Sequence, residues 1–258
     1  MQKSGNLRQI GLGVQLRNAR EIAGMSTRSV AAHLGLSPSS VNRNELGSRV
    51  PNREEVSALC VLYGVTGTDK QSLVERVGAT SDANAWLSNA SDQMASLMVL
   101  EREARAITNV EVMLVPGLVQ TFEYARLVLA ASCRGGTDLE RQVADRLGRQ
   151  AVLSKPKGPQ VSLVIDEGVL HRTLGNPRVQ REQLEHLVVV QRRENVSIRV
   201  IPLEAEAHPA LVGAYALYEL VDGTSYVLMD GRSMGVFVSG SSDVEPFVEA
   251  SRSLTKSP

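Results

Sequence analysis

The sequence predicts an all-α N-terminal helix-turn-helix domain followed by an α+β domain with a largely antiparallel sheet. Three observations carry that expectation. Apolar residues recur at helical spacing near the N-terminus. Beyond residue 160, short strand-like runs lie between turns and two further helical stretches. The charge also divides. Residues 1–53 hold eight basic side chains (Lys3, Arg8, Arg17, Arg20, Arg28, Arg43, Arg49, Arg53) and two acidic ones (Glu21, Glu45). The whole chain has 28 basic and 28 acidic residues, so a head of +6 sits on a body of −6. The expected domains are 1–78 for DNA binding and 85–258 for regulation or partner binding. The polar stretch at 79–84 is the expected linker.

In the head, Leu12, Leu16, Ala19 and Ala23 are spaced four, three and four apart, which puts one apolar stripe on a first helix. Gly24 is its expected C-terminal cap. Ser26 is placed to cap a second helix with Val30, Ala31 and Leu34 inward. Gly35-Leu36 makes the turn. Ser37-Pro38 starts a third helix, because a capping oxygen precedes a ring already set to helical φ. Val41 is that helix's inward anchor, Gly47 its end, and Pro51 a barrier to continuation. Fourth and fifth helices are expected at 54–63 and 69–77.

In the body, a long helix is expected over 86–107, then a strand over 110–115. Pro116-Gly117 reads as a turn and Thr121 as the cap of a helix over 122–131. A helix over 138–153 has Val143, Leu147 and Ala151 inward, with Arg141, Arg146 and Arg149 outward. Strands are expected at 161–165, 196–202, 213–220, 225–229 and 236–238. Helices are expected at 178–193 and 244–254.

Composition excludes several classes. Hydrophobic residues are 43% and charged residues 22%, which is globular. No apolar run approaches the ~20 residues that span a bilayer, and the N-terminus has no apolar signal core. A cytoplasmic protein without membrane contact is expected. Cys60 and Cys133 have no C-x-x-C spacing and read as small buried hydrophobes. All nine aromatics (five Tyr, three Phe, one Trp) follow residue 62. The basic head therefore lacks the stacking platforms of single-strand binders.

Two short helices joined by a Gly-containing turn make a helix-turn-helix, whose second helix enters the major groove. That helix offers Ser39, Ser40, Asn42 and Arg43 as base readers, since Arg pairs bidentately with guanine. Thr27, Arg28, Arg49 and Arg53 are the expected phosphate contacts. A plain helical bundle with a solvated basic face fits the same spacing.

The stretch LRNAREIAGMSTRSVAAHLGLSPSSVNRNELGSRVP resembles the phage-repressor-like, xenobiotic-response-element family of regulators. Arg20, Ala31, Gly35-Leu36-Ser37, Val41, Glu45, Gly47, Arg49 and Pro51 carry the resemblance in register. It implies double-stranded DNA as partner, a homodimer, and a structural pair between Arg20 and Glu45. The chain departs from that pattern at three points. Thr27 stands where Gln is frequent, Asn44 where an apolar residue is usual, and Leu46 where a polar one is usual. The later segments VPGLVQTFEYARLVL, RLGRQAVL, VIDEGVLHRTLG, REQLEHLVV, VSIRVIPLEAEAHPALVGAYAL and YVLMD resemble the C-terminal domain of an actinobacterial regulator family described as WhiJ-like or antitoxin-like. This implies a two-part transcriptional regulator, often encoded beside a small partner protein.

The body shows no strong catalytic signature. Asp166, Glu167 and His171 lie close in sequence, and Glu182 and His186 are spaced i, i+4. No H-E-x-x-H or G-x-S-x-G occurs, so solvated or structural roles are expected, with no metal and no cofactor. Gly11-x-Gly13 lacks the third Gly of a dinucleotide loop. Arg146, Arg149 and Gln150 form a candidate partner or ligand site; a solvated helix face is the plainer alternative. The expected function is sequence-specific DNA binding with a body that senses a partner or ligand, and not an enzyme. An antitoxin that neutralises a small protein and autoregulates its operon is the alternative. A hydrolase using Asp166, Glu167 and His186 comes third.

Overall fold

The computed structural model describes residues 7–47, 49–75, 77, 85–88, 90–132, 139–231 and 235–256. The expected linker at 79–84 lies outside them, as does Cys133. The chain forms two compact units. The first is Met1–Ala83 with Ser88–Val99, and the second is Asn84–Leu87 with Leu100–Pro258. Residues 88–99 group with the N-terminal helices.

The first unit holds α1 (Leu7–Ile22), α2 (Thr27–Leu34), α3 (Pro38–Glu45), α4 (Arg53–Leu62) and α5 (Gly67–Glu75). Its core is Leu12, Leu16, Val30, Ala31, Val41, Val56, Leu59, Cys60, Tyr63, Leu73 and Val77. Burying each large apolar side chain contributes about 1.5–3 kcal/mol. Ala23 belongs to the expected apolar stripe but lies beyond α1 and is exposed. The chain turns there, at Gly24 with φ +66°. Its N–H and that of Met25 reach back to the carbonyls of Glu21 and Arg20.

The expected 22-residue helix over 86–107 is three elements in the structure. These are β1 (Ala85–Ser88), α6 (Ala90–Glu103) and β2 (Ala104–Glu111). Ile107, Thr108 and Val110 are β-branched and stiff at χ1. Their backbone is held between two neighbouring strands, and that pairing outweighs the helical spacing of the residues before them.

The second unit continues with α7 (Phe122–Ser132), α8 (Leu139–Arg149), β3 (Gln160–Asp166), α9 (Glu167–His171), α10 (Pro177–Val190), β4 (Val196–Ile201), β5 (Tyr215–Leu220), β6 (Ser225–Met229), β7 (Gly235–Val238) and α11 (Ser241–Lys256). The seven-stranded sheet has the order β1-β7-β6-β5-β2-β3-β4. β2–β5, β5–β6 and β6–β7 pair antiparallel. β2–β3 and β3–β4 pair parallel, each return made through helices. One face buries Val110, Val164, Tyr215, Leu217, Val227 and Val238 against Val244, Phe247, Val248 and Leu254 of α11. The opposite face buries Ile107, Leu163, Ile165, Tyr218 and Phe237.

Two local expectations change. Thr121 does not cap α7: its hydroxyl is buried without a partner, and its N–H donates to Gln183 Oε1 at 2.7 Å. The helix expected to reach residue 153 ends at Arg149 and tightens into a 3-10 turn, Gln150–Ser154, which leaves Ala151 exposed.

Candidate nucleic-acid interface

The pair α2–α3 is built by its caps. Ser26 Oγ accepts from Ser29 N at 3.1 Å and starts α2. Gly35 ends it at φ +64°, a left-handed conformation that costs a side-chain-bearing residue more than Gly. Ser37 Oγ accepts from Ser40 N at 3.0 Å and starts α3, with Pro38 in the first turn.

α3 sorts its residues cleanly. Val41 is 1% exposed, Asn44 2% and Glu45 5%. Ser39, Asn42 and Arg43 are exposed on the other side, and Leu46 is 50% exposed at the helix end. Steps of three and four residues join these outward positions into one stripe. Ser40, the other expected base reader, is less open. It is half-buried, and its hydroxyl lies 2.9 Å from Ser37 Oγ, within the cap. At the start of α2, Thr27 is half-buried and Arg28 exposed.

Two charged clamps fix this surface. Arg20 Nε and Nη2 donate to Glu45 Oε1 and Oε2 at 2.6 and 2.9 Å, joining α1 to α3. Its Nη1 also donates to the Met25 carbonyl at 2.8 Å. The bond to Glu45 holds the guanidinium pKa above its usual range, against the opposing effect of burial. The second clamp contains Arg49, one of the expected phosphate contacts. Arg49 Nη1 and Nη2 donate to Glu55 Oε1 and Oε2 at 2.5 and 2.9 Å, and Nη1 also donates to Asn44 Oδ1 at 2.7 Å. Asn44 Nδ2 completes the ring to Glu55 Oε1 at 2.7 Å. Arg49 is therefore occupied in holding α3 to α4, because a buried amide and a carboxylate need its donors more than solvent does. Burial pushes the Glu55 carboxyl up, but the bonds from Arg49 and Asn44 prevail and hold it low. The exchange of polarity between Asn44 and Leu46 is thus resolved: the amide is satisfied inside and the leucine stands outside. Arg53 is also engaged, its Nε donating to the Val77 carbonyl at 2.9 Å.

Gly13 has a part that its Gly-x-Gly spacing did not suggest. A Cβ there would come within 2.5 Å of the Asn44 carbonyl oxygen and 2.7 Å of the Glu45 oxygen. Only a glycine lets α1 approach the end of α3 this closely.

In the second unit, the candidate arginines point inward rather than to solvent. Arg149 is buried and makes three contacts of 2.5–3.1 Å to the Glu101 carboxylate. Arg146 Nη1 donates to Gln120 Oε1 at 3.2 Å, and its Nε is buried without a partner. Gln150 Nε2 donates to the Gln120 carbonyl at 2.6 Å. Burial and the neighbouring Arg149 depress the Arg146 pKa. Nearby, burial lifts the Glu111 carboxyl to about 7 despite a bond from Asn109. Helical spacing alone does not report that the outward-looking side of α8 is covered.

The candidate hydrolytic groups have structural partners. Asp166 caps α9 through Gly168 N at 2.8 Å. Glu167 accepts from Leu203 N at 2.9 Å and lies 3.1 Å from His171 Nε2. Glu182 pairs with Arg178 at 3.4 Å. His186 is pushed down by burial and by Arg193. No group of three or more His, Cys, Asp or Glu among the described residues is placed to hold a metal ion.

Residues 11–73 match a family described as a helix-turn-helix domain, spanning α1 to α5. Residues 94–257 match the family described as Domain of unknown function (DUF5753). No curated protein and no solved structure matches the chain.

Proposed function

The chain belongs to the DUF5753 family and carries a helix-turn-helix domain ahead of that region; from this we propose that it is a sequence-specific DNA-binding transcriptional regulator of the phage-repressor-like type. The observation that carries the reading is the outward stripe of α3: Ser39, Asn42 and Arg43 stand exposed on a helix whose inner side is locked by two clamps. In a helix-turn-helix this helix enters the major groove, and Arg pairs with guanine O6 and N7. Thr27 and Arg28 at the start of α2 take the phosphate backbone, aided by the amides of the helix N-terminus.

The protein works as a homodimer on two half-sites about 34 Å apart, and the DUF5753 unit contributes to the association. That unit receives a signal from a partner protein or ligand and performs no catalysis. The protein acts in the cytoplasm; no helix among the described residues is long and apolar enough to cross a membrane.

The test is a titration of the full-length protein against a pool of random duplexes, followed by footprinting on the enriched sequence. The expected result is a symmetric protected site that competitor DNA of unrelated sequence does not displace. Equal retention of all duplexes would contradict the reading.

A further inference from the structure

The sheet face beneath α11 changes character along its strands. Val110, Val164 and Tyr215 form an apolar row, since Val110 is paired with both Val164 and Tyr215. Two residues back along β2 the row is Thr108, Ser162 and Leu217. Two further back it is Ala106, Gln160 and Glu219. The helix above changes in step, presenting Val248, Ser251, Arg252 and Thr255. Small side chains on both walls leave a cleft of about 200 Å³, open to solvent where Gln160 and Arg252 are exposed.

The polar groups of this cleft are unevenly satisfied. Ser251 Oγ is 3.0 Å from Tyr215 Oη, and Thr255 Oγ1 donates to the Ser251 carbonyl at 2.7 Å. The side chains of Thr108, Gln160 and Ser162 make no hydrogen bond to the described residues. They face the open space with donors and acceptors available. The walls carry opposite charges, Glu219 on β5 and Arg252 on α11. Each has one exposed neighbour, Arg105 at 3.1 Å and Glu245 at 3.7 Å.

We propose that this cleft binds a small zwitterion of amino-acid size, its ammonium toward Glu219 and its carboxylate toward Arg252. An anion alone would be repelled by Glu219, and a single carboxylate is too few ligands for a divalent cation. At about 200 Å³ the cleft is smaller than the ~300–1,000 Å³ of sites for larger organic ligands. A molecule of about ten non-hydrogen atoms or fewer fills it. Ala106, Leu217 and Val248 supply the apolar contact for a short side chain. The inference stands independently of DNA recognition.

The test is isothermal titration of the full-length protein with L-serine, L-threonine, L-valine and L-leucine. At least one is expected to bind with a Kd below about 1 mM. The amine and the carboxylic acid that each lack one of its charges should bind at least tenfold more weakly. Ser162→Leu fills the cleft and should abolish binding. Arg252→Gln alters an exposed side chain, so the fold persists, and binding should fall at least tenfold. The proposal is overturned if none of the four amino acids binds, or if Arg252→Gln binds as tightly as the unaltered protein.

Discussion

Arg20 and Arg43 are both arginines of the helix-turn-helix, yet the structure gives them opposite work. Arg20 is clamped to a nearly buried Glu45, so Arg20→Ala leaves a carboxylate without its partner. That substitution should cost roughly 3–5 kcal/mol of stability in denaturant unfolding. Arg43 is exposed, and Arg43→Ala should change stability by no more than about 0.5 kcal/mol. Equal losses for the two would mean that the Arg20–Glu45 clamp is solvated. Gly13→Ala tests the same junction from its other side. The new methyl meets backbone oxygens of α3, which have little room to move, so a loss of about 1–3 kcal/mol is expected. Glu111 is a third residue with a measurable signature. Its carboxyl is raised to about 7, so the folded state favours the protonated form. The stability this contributes is complete below the ordinary carboxylate range and is lost as pH rises through about 7. Stability followed from pH 4 to 8 should therefore show a fall that Glu111→Gln removes. An unchanged profile in that variant would assign the slope to another group.

At the scale of elements, the second clamp ties α3 to α4 through Asn44, Arg49 and Glu55. Glu55 is held low, so its contribution is present above the usual carboxylate range and lost as pH falls through its lowered value. Arg49→Ala should reduce stability at neutral pH and leave the salt dependence of DNA binding unchanged. A salt slope flattened by about one unit would instead mark Arg49 as a phosphate contact. This clamp also shows where legibility in the sequence ends. The local signals are sufficient for the helix-turn-helix: Ser26 and Ser37 cap α2 and α3 as expected, Pro38 takes the first turn of α3, and Gly35, expected in the turn, ends α2. The Arg20–Glu45 contact was accessible through resemblance, not through spacing. Asn44 was conspicuous as a polar residue at an apolar position, but its partner Glu55 lies eleven residues on, and only the fold brings it there. The same limit explains the helix expected at 86–107. It is helical only over Ala90–Glu103, whereas residues 85–88 form β1 and residues 104–111 take their conformation from strands more than fifty residues away. Arg146 and Arg149 follow suit, since periodicity on α8 does not reveal that Glu101 and Gln120 cover its charged side.

Across the whole molecule, the charge arithmetic changes once the ion pairs are known. Of the eight basic side chains in residues 1–53, Arg17, Arg20 and Arg49 are paired with Glu21, Glu45 and Glu55. With about 0.9 counterion released per neutralised phosphate, each arginine so engaged makes the steepest possible slope of log affinity against log salt shallower by about 0.9 per subunit. The central claim is that α3 reads bases through Arg43 on a scaffold held by the two clamps. Binding-site selection with the full-length protein and its Arg43→Ala variant, at one fixed salt concentration, tests it most directly. The account predicts that the variant keeps its affinity for DNA in general but loses its preference at one base pair of each half-site, a discrimination of about 1–3 kcal/mol. If Arg43→Ala weakens every sequence alike and selects the same motif, Arg43 grips the backbone and the claim is contradicted.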